Sequence, residues 1–207
     1  LNLYGVNSTF LNSRETSNSL TKLFYLGESK WRLRANVFAY RMLGIDGFFN
    51  DRLWKPWIDK LPEYDVIHLH NAHGYYFPLD ILETVLARPC VWTLHDYWLA
   101  TGGPTSPIPG VSQRSLIKRV FPFANLAYPI EWFDRSIKRR EKLYSLVERT
   151  KPTLVIPSYT AAEQLRELGL NTIDLNVIPH GLFDDEYAPD VQDKITGRLK
   201  KGWPLQK

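Results

Sequence analysis

The sequence predicts an α/β fold in which helices cover both faces of a parallel sheet. The alternation of elements leads to this class. Strand-like and helix-like segments alternate from about residue 65 to residue 179, a pattern typical of parallel strands joined by helical crossovers. The predicted fold in turn directs attention to histidines at the ends of several strand-like segments, because ligands bind such sheets at the carboxyl ends of their strands.

The first third of the chain carries weaker signals. Residues 1–7 are apolar and are predicted as a strand, whereas residues 8–19 are rich in Ser, Asn and Thr and are predicted as a polar loop. Residues 30–43 carry apolar side chains at helical spacing, which predicts a helix.

Four short apolar runs supply the strands of the predicted sheet, at residues 65–71, 89–95, 152–157 and 175–179. Helical spacing lies between them, at residues 78–87, 136–147 and 160–168. The last of these helices is expected to end at Gly169. The polar face of the second is assigned to Lys138, Arg139, Arg140 and Lys142. This order of elements predicts a Rossmann-like sheet.

Composition excludes several classes of protein. The 207 residues include 26 basic and 22 acidic side chains, a net charge of +4, which is too mild to predict nucleic acid as a partner. No apolar run is long enough to span a bilayer. The single cysteine, Cys90, excludes an internal disulfide framework and fits a reducing, cytoplasmic compartment. The phosphate-loop and dinucleotide-binding glycine motifs are absent from the sequence.

The residues at the predicted strand ends are the candidates for a functional site. They are His70 with Asn71, His95 with Asp96, Ser158, and His180 with Gly181. Ser158 lacks the glycines of a hydrolase nucleophile elbow and is predicted to cap a helix instead. His68 lies inside a strand and is expected to be a core histidine. The spacing of His68, His70 and His73 fits no familiar metal site, so no metal is expected.

His95 has the strongest position for chemistry. A histidine at the end of an apolar strand can act as a base, donate a hydrogen bond to an anionic leaving group, or orient a substrate. The alternative is a histidine that only caps the strand. The adjacent Asp96 and the Gly102-Gly103 turn favour function, because glycine lets the backbone approach a ligand closely.

The candidate residues occur in blocks that resemble a known family. Residues 93–102 read Thr-Leu-His-Asp-Tyr-Trp-Leu-Ala-Thr-Gly, and residues 65–76, 157–158 and 177–183 follow the same family order. Together they resemble the amino-terminal domain of GT-B glycosyltransferases of family 4, and most closely the colanic-acid and exopolysaccharide transferases. The resemblance covers roughly residues 60 to 207.

The resemblance implies transfer of a sugar from a nucleotide-sugar to a polysaccharide or lipid-linked oligosaccharide acceptor, with retained anomeric configuration and without metal or other cofactor. His95 and Asp96 take the catalytic positions beside the reacting sugar. The implied substrate-binding residues are His70, Asn71, His73, Gly74, Trp98, Thr101, Gly102, Gly103, His180 and Gly181. At position 180 the family commonly has Asn.

The resemblance also implies a domain division. Residues 1–183 are expected to form the acceptor-binding domain, with the family's first strand missing, and residues 184–207 a linker toward an absent donor-binding domain. A chain of this kind is expected to bind nucleotide-sugars more weakly than ~1 mM. The alternative function is a non-catalytic module that binds a sugar or a lipid headgroup.

A basic and aromatic stretch suggests an anionic membrane surface as a further partner, at the inner face of the membrane. Its cations are Arg114, Lys118, Arg119, Arg135, Lys138, Arg139, Arg140 and Lys142, and the aromatic residues between them include Phe121, Phe123, Trp132 and Phe133. Such a pattern suits anionic headgroups. The competing interpretation is a solvated helix face beside a loop packed on the core.

Overall fold

The computed structural model describes residues 9–12, 22–25, 29–103, 105 and 135–181. Three of the predicted segments lie outside these residues: the strand at 1–7, the linker at 184–207, and the part of the basic and aromatic stretch between residues 114 and 133.

The amino-terminal part contains a small two-stranded sheet. Strands β1 (Thr9–Asn12) and β2 (Lys22–Tyr25) pair in parallel. The prediction of a loop over residues 8–19 is therefore wrong for β1. The polar composition of the segment concealed a run of Thr, Phe and Leu, which are residue types that fit a pleated strand.

A helical segment follows as predicted. Helix α1 (Lys30–Phe38) continues into a π-helical turn (Ala39–Leu43), and the turn ends at Gly44 with φ of +62°. Helix α2 (Asp51–Ile58) is not predicted by the sequence analysis. It contains Pro56, and an internal proline argues against a helix when only the sequence is read.

The predicted four-stranded sheet is confirmed. Its strands are β3 (Ile67–His70), β4 (Cys90–Thr93), β5 (Thr153–Ile156) and β6 (Leu175–Val177), in that spatial order and all parallel. Because all four strands run parallel, their carboxyl ends meet at one edge. The chain therefore has an α/β, Rossmann-like fold.

The connections between these strands are helical, as expected. They contain α3 (Leu82–Leu86), α4 (Trp98–Thr101), α5 (Arg135–Thr150) and α6 (Tyr159–Leu165), with a π-helical turn (Arg166–Leu170) after α6 and short 3-10 turns at Leu61–Glu63 and Leu79–Ile81. Ser158 caps α6, since its hydroxyl accepts a hydrogen bond from the backbone N–H of Ala161 at 3.1 Å. Gly169, with φ of +109°, leaves the helical conformation as predicted.

The hydrophobic core lies between the sheet and its helices. Trp92 and Leu154 are buried in the central strands, against Leu82 and Leu86 of α3 and Leu143 of α5. Each such aliphatic or aromatic side chain contributes about 1.5–3 kcal/mol on burial. Cys90 is buried and unpaired, and burial raises the pKa of its thiol to about 12.

The orientation of α5 corrects one prediction. The side chains that face the core are Ser136, Arg139, Leu143, Leu146 and Val147. Arg139 is thus on the buried face rather than the polar one, because it lies at helical spacing from the leucines. Arg140 is also engaged, since it donates to the carbonyl of Leu168 at 3.2 Å. Arg139 is therefore unable to contribute to the basic membrane surface suggested by the sequence.

None of the helices in the described ranges has the length and apolar character needed to cross a membrane.

Candidate functional site

Four histidines stand side by side on the sheet, and three of them lie at its carboxyl edge. His70 ends β3, His95 follows β4 and His180 follows β6. Nδ1 of His70 lies 2.8 Å from Nε2 of His95, and the rings of His95 and His180 stack at 5.5 Å with an angle of 12°. The ring of His68 lies 4.1 Å from that of His70. We call these four residues the histidine row.

The prediction that His68 is a core histidine is wrong, because its side chain is exposed. His68 and His70 share one face of β3, as alternate residues of a strand do, and both are exposed, whereas Leu69 between them is buried. Nε2 of His68 lies 2.8 Å from the hydroxyl of Thr93 on the neighbouring strand. The sheet face that carries these histidines is therefore open to solvent at β3.

Burial favours the neutral form of three histidines of the row, His68, His70 and His95, by lowering their pKa values. Partial desolvation, reinforced by the neighbouring histidines, lowers the pKa of His70 from 6.5 to about 4. Desolvation also lowers the pKa of His95 and of His68, and the charge of His180 adds to the effect at His95 while Asp96 opposes it. Neutral imidazoles can both donate and accept hydrogen bonds. One ring of the His70–His95 pair must donate and the other accept, so their tautomers are linked.

These shifts predict how stability depends on pH. The pKa of His70 falls from 6.5 in the unfolded chain to about 4 in the folded one. The stability that the neutral His70 contributes is therefore complete above pH 6.5 and is lost as pH falls toward 4. We expect the free energy of unfolding to decrease over this range, and the decrease to be smaller in His70→Gln. Urea denaturation at several pH values measures both slopes. Equal slopes in the two proteins would contradict the assignment.

A tight turn after β3 brings the next candidates to the same edge. Asn71 adopts a left-handed conformation with φ of +45°, and the N–H of His73 donates to its carbonyl at 2.8 Å. Gly74 follows with φ of +88°. The hydroxyl of Tyr76 also donates to the carbonyl of Asn71. A non-glycine residue with positive φ costs free energy and is found preferentially at functional sites.

Asp96 organises its neighbours. One carboxylate oxygen lies 2.9 Å from Nε2 of His73, and the other accepts from the backbone N–H of Trp98 at 2.9 Å. The His73 ring stacks on the Trp98 ring at 4.9 Å. Both oxygens of Asp96 thus have partners in the protein, and these contacts fix His73 and the start of α4. The role of Asp96 toward a sugar stays a prediction.

The remaining candidates of the Trp98–Gly103 block are buried. Trp98 and Thr101 are almost fully inaccessible, and a Cβ on Gly102 would lie only 2.1 Å from the carbonyl oxygen of Ser136. Only glycine therefore permits this approach of the loop to α5. Trp98 also lines a cavity of about 10 Å³, which His95 and Asn71 border as well. In contrast, His180 and Gly181 are exposed. Direct contact of the block with a substrate remains a prediction.

A buried ion pair behind the site was not found by sequence reasoning. Nε of Arg139 lies 2.9 Å from Oδ2 of Asp46, and the two side chains are 3% and 2% exposed. Arg139 also donates to the carbonyls of Gly44 and Gly102, and Oδ1 of Asp46 accepts from the N–H of Gly74 at 3.1 Å. The pair therefore connects the end of the α1 segment, the turn after β3 and the loop after α4.

Burial raises the pKa of Asp46, and the charge of Arg139 opposes that shift. The signal in the sequence was the position of Arg139 within the apolar stripe of its helix. Asp46 carried no comparable signal.

No group of three or more His, Cys, Asp or Glu residues within the described ranges could hold a metal ion.

Comparison with known proteins gives one match. A family model described as Glycosyltransferase Family 4 matches residues 30–186, which is more than half of the chain. The match spans the four-stranded sheet, the histidine row and both partners of the buried ion pair. No curated protein and no solved structure gives a significant match.

Proposed function

The chain belongs to glycosyltransferase family 4, and from this premise we propose that the three histidines at the carboxyl edge, His70, His95 and His180, form the acceptor side of a sugar-transfer site. The donor in this proposal is a nucleotide-sugar and the acceptor a polysaccharide or lipid-linked oligosaccharide. Transfer proceeds with retention and without a metal ion. The domain corresponds to the amino-terminal half of a GT-B enzyme of exopolysaccharide synthesis, acting at the cytoplasmic face of a membrane.

The observation that carries the proposal is the convergence of His70, His95 and His180 at one edge of the sheet. Parallel α/β sheets bind their ligands at this edge. Sugars are neutral and rich in hydroxyl groups, and neutral imidazoles can both donate to and accept from such groups. Lowered pKa values at His70 and His95 support this match between site and ligand.

His95 occupies the centre of the row and is exposed. Its Nε2 is paired with His70. In the proposed site Nδ1 is therefore the ring nitrogen of His95 that forms a hydrogen bond with a ligand oxygen. In the proposed reaction His95 binds an oxygen beside the reacting carbon and holds or moves its proton. His73, fixed by Asp96 and Trp98, orients the acceptor from the neighbouring turn.

The test is binding of oligosaccharides by the full chain, measured by calorimetric titration and by NMR. We expect His95→Ala and His70→Ala to weaken glycan binding, because each removes a contact in the row. Lys142→Gln is the matched control, since Lys142 is exposed on α5 and pairs with Asp80. Binding that all three variants retain equally would refute the proposed site.

A second assay distinguishes an enzyme from a binding module. Because the proposal makes this domain the acceptor half, the assay uses the domain together with a donor-binding domain. The product formed from a nucleotide-sugar and a glycan that binds is analysed by NMR for transfer and for anomeric configuration. Transfer with retention supports the full proposal, whereas glycan binding without transfer in that enzyme would favour the non-catalytic sugar-binding module instead.

A further inference from the structure

Helix α1 distributes its side chains in an unusual way. It buries the polar Asn36 completely, while Trp31 and Phe38 are 61% and 62% exposed. A surface helix ordinarily turns its apolar side chains inward and its polar ones toward water. Exposed aromatic side chains that cluster on one face mark an interaction surface.

The loop after the helix extends the same surface. Phe48 and Phe49 are 51% and 41% exposed, and the Phe49 ring meets those of Trp31 and Phe48 edge-on, at 6.3 and 4.8 Å. The buried Asn36 holds this loop in place, because its side-chain oxygen accepts from the N–H of Phe49 at 2.8 Å. We call Trp31, Phe38, Phe48 and Phe49 the aromatic face.

The surroundings of the aromatic face are basic. Residues 30–45 contain four basic side chains and no acidic one. The basic residues are Lys30, Arg32, Arg34 and Arg41. The next acidic residue, Asp46, is buried against Arg139, so its carboxylate does not lie on this surface.

We propose that the aromatic face and its four basic residues dock the protein on an anionic lipid surface. Aromatic side chains settle at the boundary between headgroups and acyl chains, and basic side chains beside them are attracted by anionic headgroups. A second copy of the chain is disfavoured as occupant, because a symmetric contact would set the same positive charges against each other.

Single-stranded nucleic acid fits this surface less well than lipid. Its bases stack on free aromatic ring faces, whereas the Phe49 ring is packed edge-on against the rings of both Trp31 and Phe48. The guanidinium of Arg32 also lies 5.6 Å above the Trp31 ring. The arrangement offers ring edges and charge, which suit a headgroup layer.

The docking segment is joined to the candidate site. The loop between Gly44 and Asn50 carries Asp46, which accepts from Gly74 in the turn after β3, and the Asn50 side chain donates to the carbonyl of Tyr76 at 3.0 Å. The inference deepens the proposed function, on whose placement of the domain at a membrane it rests. It concerns a surface other than the histidine row, so lipid binding can fail or succeed independently of glycan binding.

The experiment is co-sedimentation of the full chain with vesicles of phosphatidylcholine alone or mixed with phosphatidylglycerol. We expect binding to the anionic vesicles at low salt and release as salt rises. The variant Arg32→Gln/Arg34→Gln/Arg41→Gln should lower the partition coefficient roughly 100-fold, because each basic residue near the surface contributes about fivefold. Phe38→Ser/Phe48→Ser should weaken binding while its salt dependence remains.

The matched control is Lys138→Gln/Lys142→Gln/Arg149→Gln, which removes the same charge from α5 and should retain binding. Circular dichroism checks that each variant is folded. Equal loss of binding in the control would overturn the proposal. So would equal sedimentation with neutral and anionic vesicles, absence of binding at low salt, or displacement from vesicles by a single-stranded oligonucleotide that binds the same face more tightly.

Discussion

Arg139→Ala is expected to lower the free energy of unfolding by about 3–5 kcal/mol, the usual cost of removing one partner of a buried ion pair. The substitution would leave the Asp46 carboxylate without a counter-ion in a place where it is 2% exposed. It would also remove the donors to the carbonyls of Gly44 and Gly102. Equilibrium denaturation in urea, compared with the unaltered protein, measures the loss.

Arg149→Ala is the matched control on the same helix. Arg149 pairs with Glu83 at 2.6 Å, but the two side chains are 61% and 58% exposed. Water and salt screen such a pair, so its removal should cost less than about 1 kcal/mol. Similar losses in the two variants would mean that the buried pair does not stabilise the fold as the geometry indicates.

The loss of the Arg139–Asp46 ion pair should also disturb the candidate site, because this pair connects the loops that form the site. Asp46 accepts from Gly74, next to His73, and Arg139 donates to Gly102, one residue after α4. Asp96 in turn contacts both His73 and the start of α4. Two independent sets of contacts thus fix the turn after β3 relative to α4.

The sheet and its histidine edge could be predicted because both depend on local patterns. Short apolar runs separated by helical spacing determine the alternation of elements, and the parallel arrangement follows from the length of the connections. Once the strands are parallel, the residues that follow them lie at one edge whatever the details of packing. This rule alone is enough to predict that one edge of the sheet carries His70, His95 and His180.

Other features depend on tertiary packing and could not be predicted in the same way. Whether the His68 face of β3 is covered depends on where distant helices pack, and nothing in the strand itself indicates that. Arg139 was assigned to the polar face by residue type, although its spacing from Leu143 and Leu146 matches the buried stripe. At Arg139, helical phase is therefore a better guide than residue type.

The largest effect on function is expected at His95. In an enzyme in which this domain acts together with a donor-binding domain, His95→Ala should lower the turnover of sugar transfer on the order of 10²–10⁴-fold, the range for a group that assists proton transfer. His95 is the one member of the row that contacts both His70 and His180. Initial rates at saturating donor and acceptor measure the change. Because its pKa is lowered, the neutral form of His95, and with it the rate, should persist below the ordinary titration range of histidine.

His68→Ala is the control for this prediction, because His68 belongs to the same row but lies within β3 and contacts Thr93. Its substitution should leave turnover close to that of the unaltered protein. If His68→Ala and His95→Ala lower turnover equally, the row contributes through its packing rather than through His95. If His95→Ala keeps full turnover, the catalytic assignment of His95 is wrong, because a group that touches the reacting atoms cannot be removed without cost to the transition state.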